Sequence, residues 1–165
     1  MSPQEFLESV VLPNMDEFRK GDDLRRAFNA IAAVDALAAH ISQNVSPQEK
    51  DDSRFRQNLA DKNEDFKLVR DMAKAQKHVR LDRGNPVLKE ADRIKLRSLG
   101  WGEGEWGAGL WGGSPQVVVE MDSGETQIVG AVLERALAFL KTIIPPTPAT
   151  HDRTDGDGRG EGAPP

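Results

Sequence analysis

The sequence predicts a mainly α fold: a helical bundle with a small C-terminal β-hairpin and a Gly/Trp-rich loop. Three observations carry this. Apolar residues recur at helical spacing over most of residues 1–82 and again over 130–144. One short run, Gln116-Val117-Val118-Val119-Glu120-Met121, is rich in β-branched residues and precedes the turn signal Asp122-Ser123-Gly124. Between these regions, Trp-Gly recurs at 101, 106 and 111, inside Gly100–Gly113.

Taken in order, Ser2-Pro3-Gln4-Glu5 has the capping-box arrangement with proline at the first helical position. Phe6, Leu7, Val10 and Val11 then give a short amphipathic helix that Pro13 is expected to stop. Asn14 or Asp16 starts a further turn ending at Gly21. Asp22 or Asp23 opens a long helix to about Asn44, whose inward stripe is Leu24, Phe28, Ile31, Val34, Ala38, Ile41 and Val45. Ser46-Pro47-Gln48-Glu49 repeats the N-terminal start signal and predicts a helix through Phe55 and Leu59, broken near Asn63. The next helix runs from about Glu64 to Asp82, stopped by Gly84 and Asn85-Pro86. It buries Phe66, Val69, Met72, Ala73, Ala75 and Val79. Residues 86–99 carry both helical and alternating signals. Residues 116–121 and 126–129 are the hairpin strands, with residues 93–97 a candidate third strand, since two strands alone are marginal in water. Gly130–Ile144 closes the fold as a helix.

The 165 residues fit one helical domain over 1–144 and a disordered tail over 145–165. That tail holds no apolar side chain larger than Ala or Pro, so it cannot repay the entropy of ordering. The chain has no cysteine, which excludes disulfides, thiolate catalysis and Cys-ligated zinc. With no signal peptide and no membrane-spanning run, a soluble cytoplasmic protein is expected.

Several blocks are similar to a group of uncharacterised bacterial proteins with no assigned activity. They are residues 23–30, 34–40, 69–81, 115–120 and the Trp-Gly stretch, which together span most of residues 20–140. The helical organisation also resembles the bundles of HEPN ribonucleases and their inactive relatives. Their signature places four to six residues between an Arg and a His. Here seven residues separate Arg70 from His78, and no suitable Arg precedes His40. That resemblance therefore implies a bundle and not the activity.

Net charge is −5, but it is unevenly spread. Residues 1–53 carry five basic against ten acidic side chains, residues 54–98 thirteen against seven, and residues 99–165 four against ten. The helix over 64–82 concentrates the basic block. Lys67, Arg70, Lys74, Lys77 and Arg80 fall within an arc of about 140° at 100° per residue. Like charges at such spacing repel. An intramolecular account sets the acidic Asp16, Glu17, Asp22 and Asp23 against them. A functional account supplies an external anion, either an acidic protein partner or nucleic acid.

Trp101, Trp106 and Trp111 either cap the core or serve as stacking platforms. Gly102–Gly107 matches the letters G-x-G-x-x-G, but a strand follows it where a phosphate loop needs a helix. Asp35 and Gln76 sit within apolar arcs and need partners. A Gln76–Asp35 or Asp35–Arg80 contact would satisfy them. Asp35, His40 and His78 are the only candidates for catalysis, and they match no known spacing. HExxH, GxSxG and Walker motifs are absent, so no cofactor or metal is expected. The expected function is a non-enzymatic interaction module. Its binding residues would be Lys67, Arg70, Lys74, Lys77, Arg80 and the three tryptophans. Its partner would be an acidic protein or a second copy of the chain, with a nucleic-acid binder or HEPN-like relative as the alternative and no membrane role.

Overall fold

The computed structural model describes residues 1–21, 23–78, 80–83, 85–98 and 115–145. The Trp-Gly stretch and the tail from Pro146 lie outside the described residues. The fold is mainly α with a small antiparallel sheet.

The N-terminal helical segment is α1 (Pro3–Phe6), a π-helical turn (Leu7–Val11) and α2 (Leu12–Arg19). Its capping box forms as the sequence requires. Ser2 Oγ accepts from Glu5 N–H at 3.2 Å, and Glu5 Oε2 accepts from Ser2 N–H at 2.7 Å. Pro13 does not stop this segment. The wide π turn immediately before it loosens the backbone where the ring would otherwise meet the preceding turn. Asn14 then donates its side-chain amide to the Val10 carbonyl at 2.8 Å, satisfying a group near the break. Leu7, Val11, Met15 and Phe18 remain on one buried face.

The central element is α3 (Leu24–Val45), capped by Asp23, whose Oδ1 accepts from Arg26 N–H at 2.9 Å. The middle of its stripe, Ile31, Val34, Ala38 and Ile41, is fully buried, whereas Leu24 and Val45 at the ends are exposed. Small residues widen that contact: Ala27, Ala30 and Ala33 are also buried, so α2, α5 and α6 can all pack on α3.

The Ser46-Pro47 signal does not open a helix. Ser46 N–H bonds the Ser42 carbonyl at 2.8 Å, which closes α3, and Glu49 N–H bonds the Ser46 carbonyl at 3.0 Å, so the chain makes a turn at Pro47–Gln48. The next helix, α4 (Ser53–Ala60), starts later, where Asp51 Oδ1 accepts from Ser53 N–H at 2.9 Å. It is followed by α5 (Glu64–His78), with Asn63 Oδ1 accepting from Phe66 N–H at 2.8 Å. This helix ends at His78 and not at Asp82. Arg80 and Leu81 turn into a short extended pairing with residues 89–90, through an Arg80–Glu90 bridge and a 2.7 Å bond from Leu81 N–H to the Lys89 carbonyl. Leu88, fully buried, anchors that return.

Both signals in residues 86–99 are realised: a helical turn at Ala91–Arg93 leads into β1 (Ile94–Arg97). The hairpin is β2 (Gln116–Glu120) and β3 (Thr126–Ile128), turning through Gly124 at φ 88°, a conformation that favours glycine. With β1 as third strand the order is β1-β2-β3, all antiparallel, with Ile94 opposite Val119 and Val118 opposite Ile128. Val117 and Val119 join the helical core. Last comes α6 (Val129–Lys141), which buries Val132, Leu133, Ala136, Leu137 and Leu140 against α3 and α5. Arg19 ties α2 to it through Glu134 at 2.6 Å, and Arg135 ties it to Asp65 of α5 at 2.9 Å.

Candidate functional site

Charge converges where α4 crosses α5 beside the middle of α3. Asp35, on α3, is only 4% exposed and forms an ion pair with Arg56 of α4. Arg56 also faces Asp52, one turn earlier, at 3.6 Å. From α5, Arg70 reaches back to α4 and donates through Nη1 to Gln57 Oε1 at 2.6 Å. Lys74 stands one turn further along α5, half-buried, with no hydrogen bond or ion pair among the described residues.

The electrostatics follow from this crowding. Burial lowers the Arg70 guanidinium from its ordinary value, and the nearby Arg56 cation lowers it further. Burial likewise lowers the Lys74 ammonium, followed by repulsion from Arg70; Asp71 and Asp35 pull it the other way. The Nε–H groups of both Arg56 and Arg70 are shielded from solvent and have no acceptor.

Asp71 faces the loop beyond α5. Its Oδ2 accepts from Val87 N–H at 2.9 Å, with Lys67 Nζ at 3.7 Å. Burial pushes this carboxyl above the usual aspartate range, and the Val87 hydrogen bond and Lys67 oppose that shift. The folded chain therefore keeps the proton over a window where the unfolded chain has lost it. Stability from this site is complete below the ordinary aspartate range and is lost as pH rises through the folded value. Asp71→Asn keeps an acceptor for Val87 while removing the buried charge. It is expected to raise the melting temperature more at neutral pH than in mild acid. Thermal melts showing an equal or smaller gain at neutral pH would refute this account.

The five cations expected on one solvent face take different roles. Lys67 donates to the Asn85 carbonyl at 2.9 Å and neighbours Asp71. Arg70 turns inward and is 8% exposed. Lys74 lies at the rim, and Lys77 is exposed with no ion pair among the described residues. Arg80 lies past the end of α5 and pairs with Asp82 at 3.0 Å. The acidic side chains of the N-terminal third are not paired with these cations among the described residues. Asp16 and Glu17 pair with Arg19 and Lys20 of their own helix, and Asp23 pairs with Arg26; Asp22 is outside the described residues. Trp101, Trp106 and Trp111 are also outside them.

Asp35 finds neither Gln76 nor Arg80. Its partner is Arg56, while the Gln76 side-chain amide nitrogen is buried without an acceptor. The sequence does contain a signal for Arg56: it lies three and four residues before Leu59 and Ala60, both buried, and so shares their inward side. His40 stacks on Phe6 with ring centroids 3.9 Å apart and planes 19° from parallel. His78 is exposed at the last residue of α5. Among the described residues, no group of three or more His, Asp or Glu side chains is placed to hold a metal ion, and no helix is long and apolar enough to cross a membrane.

No family model matches the chain, and no match was found among the curated proteins or the solved structures.

Proposed function

We propose that this chain is a non-enzymatic interaction module that captures an acidic protein partner on the basic rim of α5. The observation that carries this reading is the state of Lys74 and Lys77. Lys74 sits near Arg70 and Arg56, Lys77 is exposed three residues further along α5, and neither has an anionic partner among the described residues. Unbalanced like charge on one surface repels itself and draws opposite charge from solution. Lys67 and Arg80 play no part in this rim, since each is engaged within the chain.

The test is retention on a polyglutamate resin as a function of salt, with a nucleic-acid resin in parallel. Reversing both charges, Lys74→Glu with Lys77→Glu, should weaken polyglutamate binding about tenfold, as expected for two exposed charge contacts. Identical elution of the variant and the parent would overturn the reading. Retention only on nucleic acid, with a steep salt dependence, would replace it with nucleic-acid binding.

A further inference from the structure

We propose that the seam between α4 and α5 is a binding site for one oxyanion group, a carboxylate or a phosphate, held by Arg56, Arg70 and Lys74. This deepens the reading above by naming the group that the partner inserts, and it rests on that reading only for the partner's identity.

Charge bookkeeping in the seam leaves a cation over. Arg56, Arg70 and Lys74 bring three positive charges from two helices, while Asp35 and Asp52 bring two negative ones. Asp71 also acts on Arg70 and Lys74, but its Oδ2 is engaged by Val87 N–H and Lys67, and counting Asp71 together with Lys67 still leaves one cation over. Hydrogen bonding leaves the same gap. Arg70 uses Nη1 on Gln57, and its Nε–H has no acceptor although the residue is more than nine-tenths buried. Arg56 spends Nη2 on Asp35, and its Nε–H is also without an acceptor. A buried donor without an acceptor is costly, and two of them within one cluster of cations are complementary to an oxyanion. Guanidinium groups suit that role because their planar donors match the oxygens of carboxylate and phosphate. Half-buried Lys74, one turn beyond Arg70 on α5, adds a third cation to the cluster.

The arginine Nε–H signals report directly on this site. The full-length chain would be titrated at constant ionic strength with inorganic phosphate and, separately, with a hexaglutamate peptide, following the Arg56 and Arg70 Nε–H resonances. Saturable movement of the Arg70 signal is expected with at least one probe, and the responding probe identifies the group as phosphate or carboxylate. Lys74→Gln, a substitution at the half-exposed rim, should weaken that response about tenfold while leaving the backbone spectrum folded. If hexaglutamate binds but neither Nε–H signal moves, the seam site is wrong and the acidic-partner reading stands. If phosphate moves the signals and hexaglutamate does not bind, the site stands and the polyacidic partner is wrong. If neither probe binds, both are wrong.

Discussion

Asp35→Leu is expected to destabilise the fold by about 3–5 kcal/mol, the range for removing one partner from a buried ion pair. The substitution fills the space with an apolar side chain but leaves Arg56 mostly buried, with only the looser Asp52 contact at 3.6 Å. The cost therefore arises less from a lost attraction than from an uncompensated charge. The companion variant separates the two causes. In Asp35→Leu with Arg56→Met, no charge remains to be compensated, and apolar replacements of buried pairs are often neutral or better. Most of the lost stability should return. Urea unfolding of both variants and the parent measures this. A double variant no more stable than Asp35→Leu would show that the pair itself, and not the orphaned arginine, sustains the fold.

Phe66→Ala should cost about 3–5 kcal/mol through lost burial and the cavity left behind. Phe66 is fully buried in the first turn of α5, where that helix packs on α6. Its backbone N–H is also the donor to Asn63, so the ring and the helix start are fixed together. The contrast is Leu96→Ala on β1, where the side chain is 47% exposed and little burial is lost. Denaturant midpoints should fall sharply for the first and hardly for the second. Comparable midpoints would place the stabilising core elsewhere than at the junction of α3, α5 and α6.

The helices were legible because apolar spacing reports burial directly. The stripe of α3 held from Ile31 to Ile41, and that of α5 from Phe66 to Ala75. Local start and stop signals were weaker, because each competes with its neighbours. Ser46 closes α3 and leads into a turn at Pro47–Gln48, and Pro13 was absorbed by a widened turn. The charged seam was the least legible part. Asp35 stood out as an acid among apolar neighbours, but its partner depended on how α4 crosses α3, which no spacing within either helix encodes. Arg70 looked like a surface cation because its helical neighbours in charge, Lys74 and Lys77, do lie toward solvent. It was drawn inward by Gln57 of another helix.

The pairing of Arg97 with Gln116 has a consequence for the stretch between them. Antiparallel neighbours sit about 4.8 Å apart, so residues 98–115 leave the sheet and rejoin it at one place. Joining two adjacent strands needs only a short connection. Shortening about 18 residues to about four would change the closure entropy by only about 1.3 kcal/mol. The strand register places Ile94 opposite Val119 and Leu96 opposite Val117, so the buried side chains Ile94, Val117 and Val119 are brought together. Sheet topology makes no demand on the composition of that connection. Connecting two strands therefore does not by itself call for three tryptophans set among costly glycines.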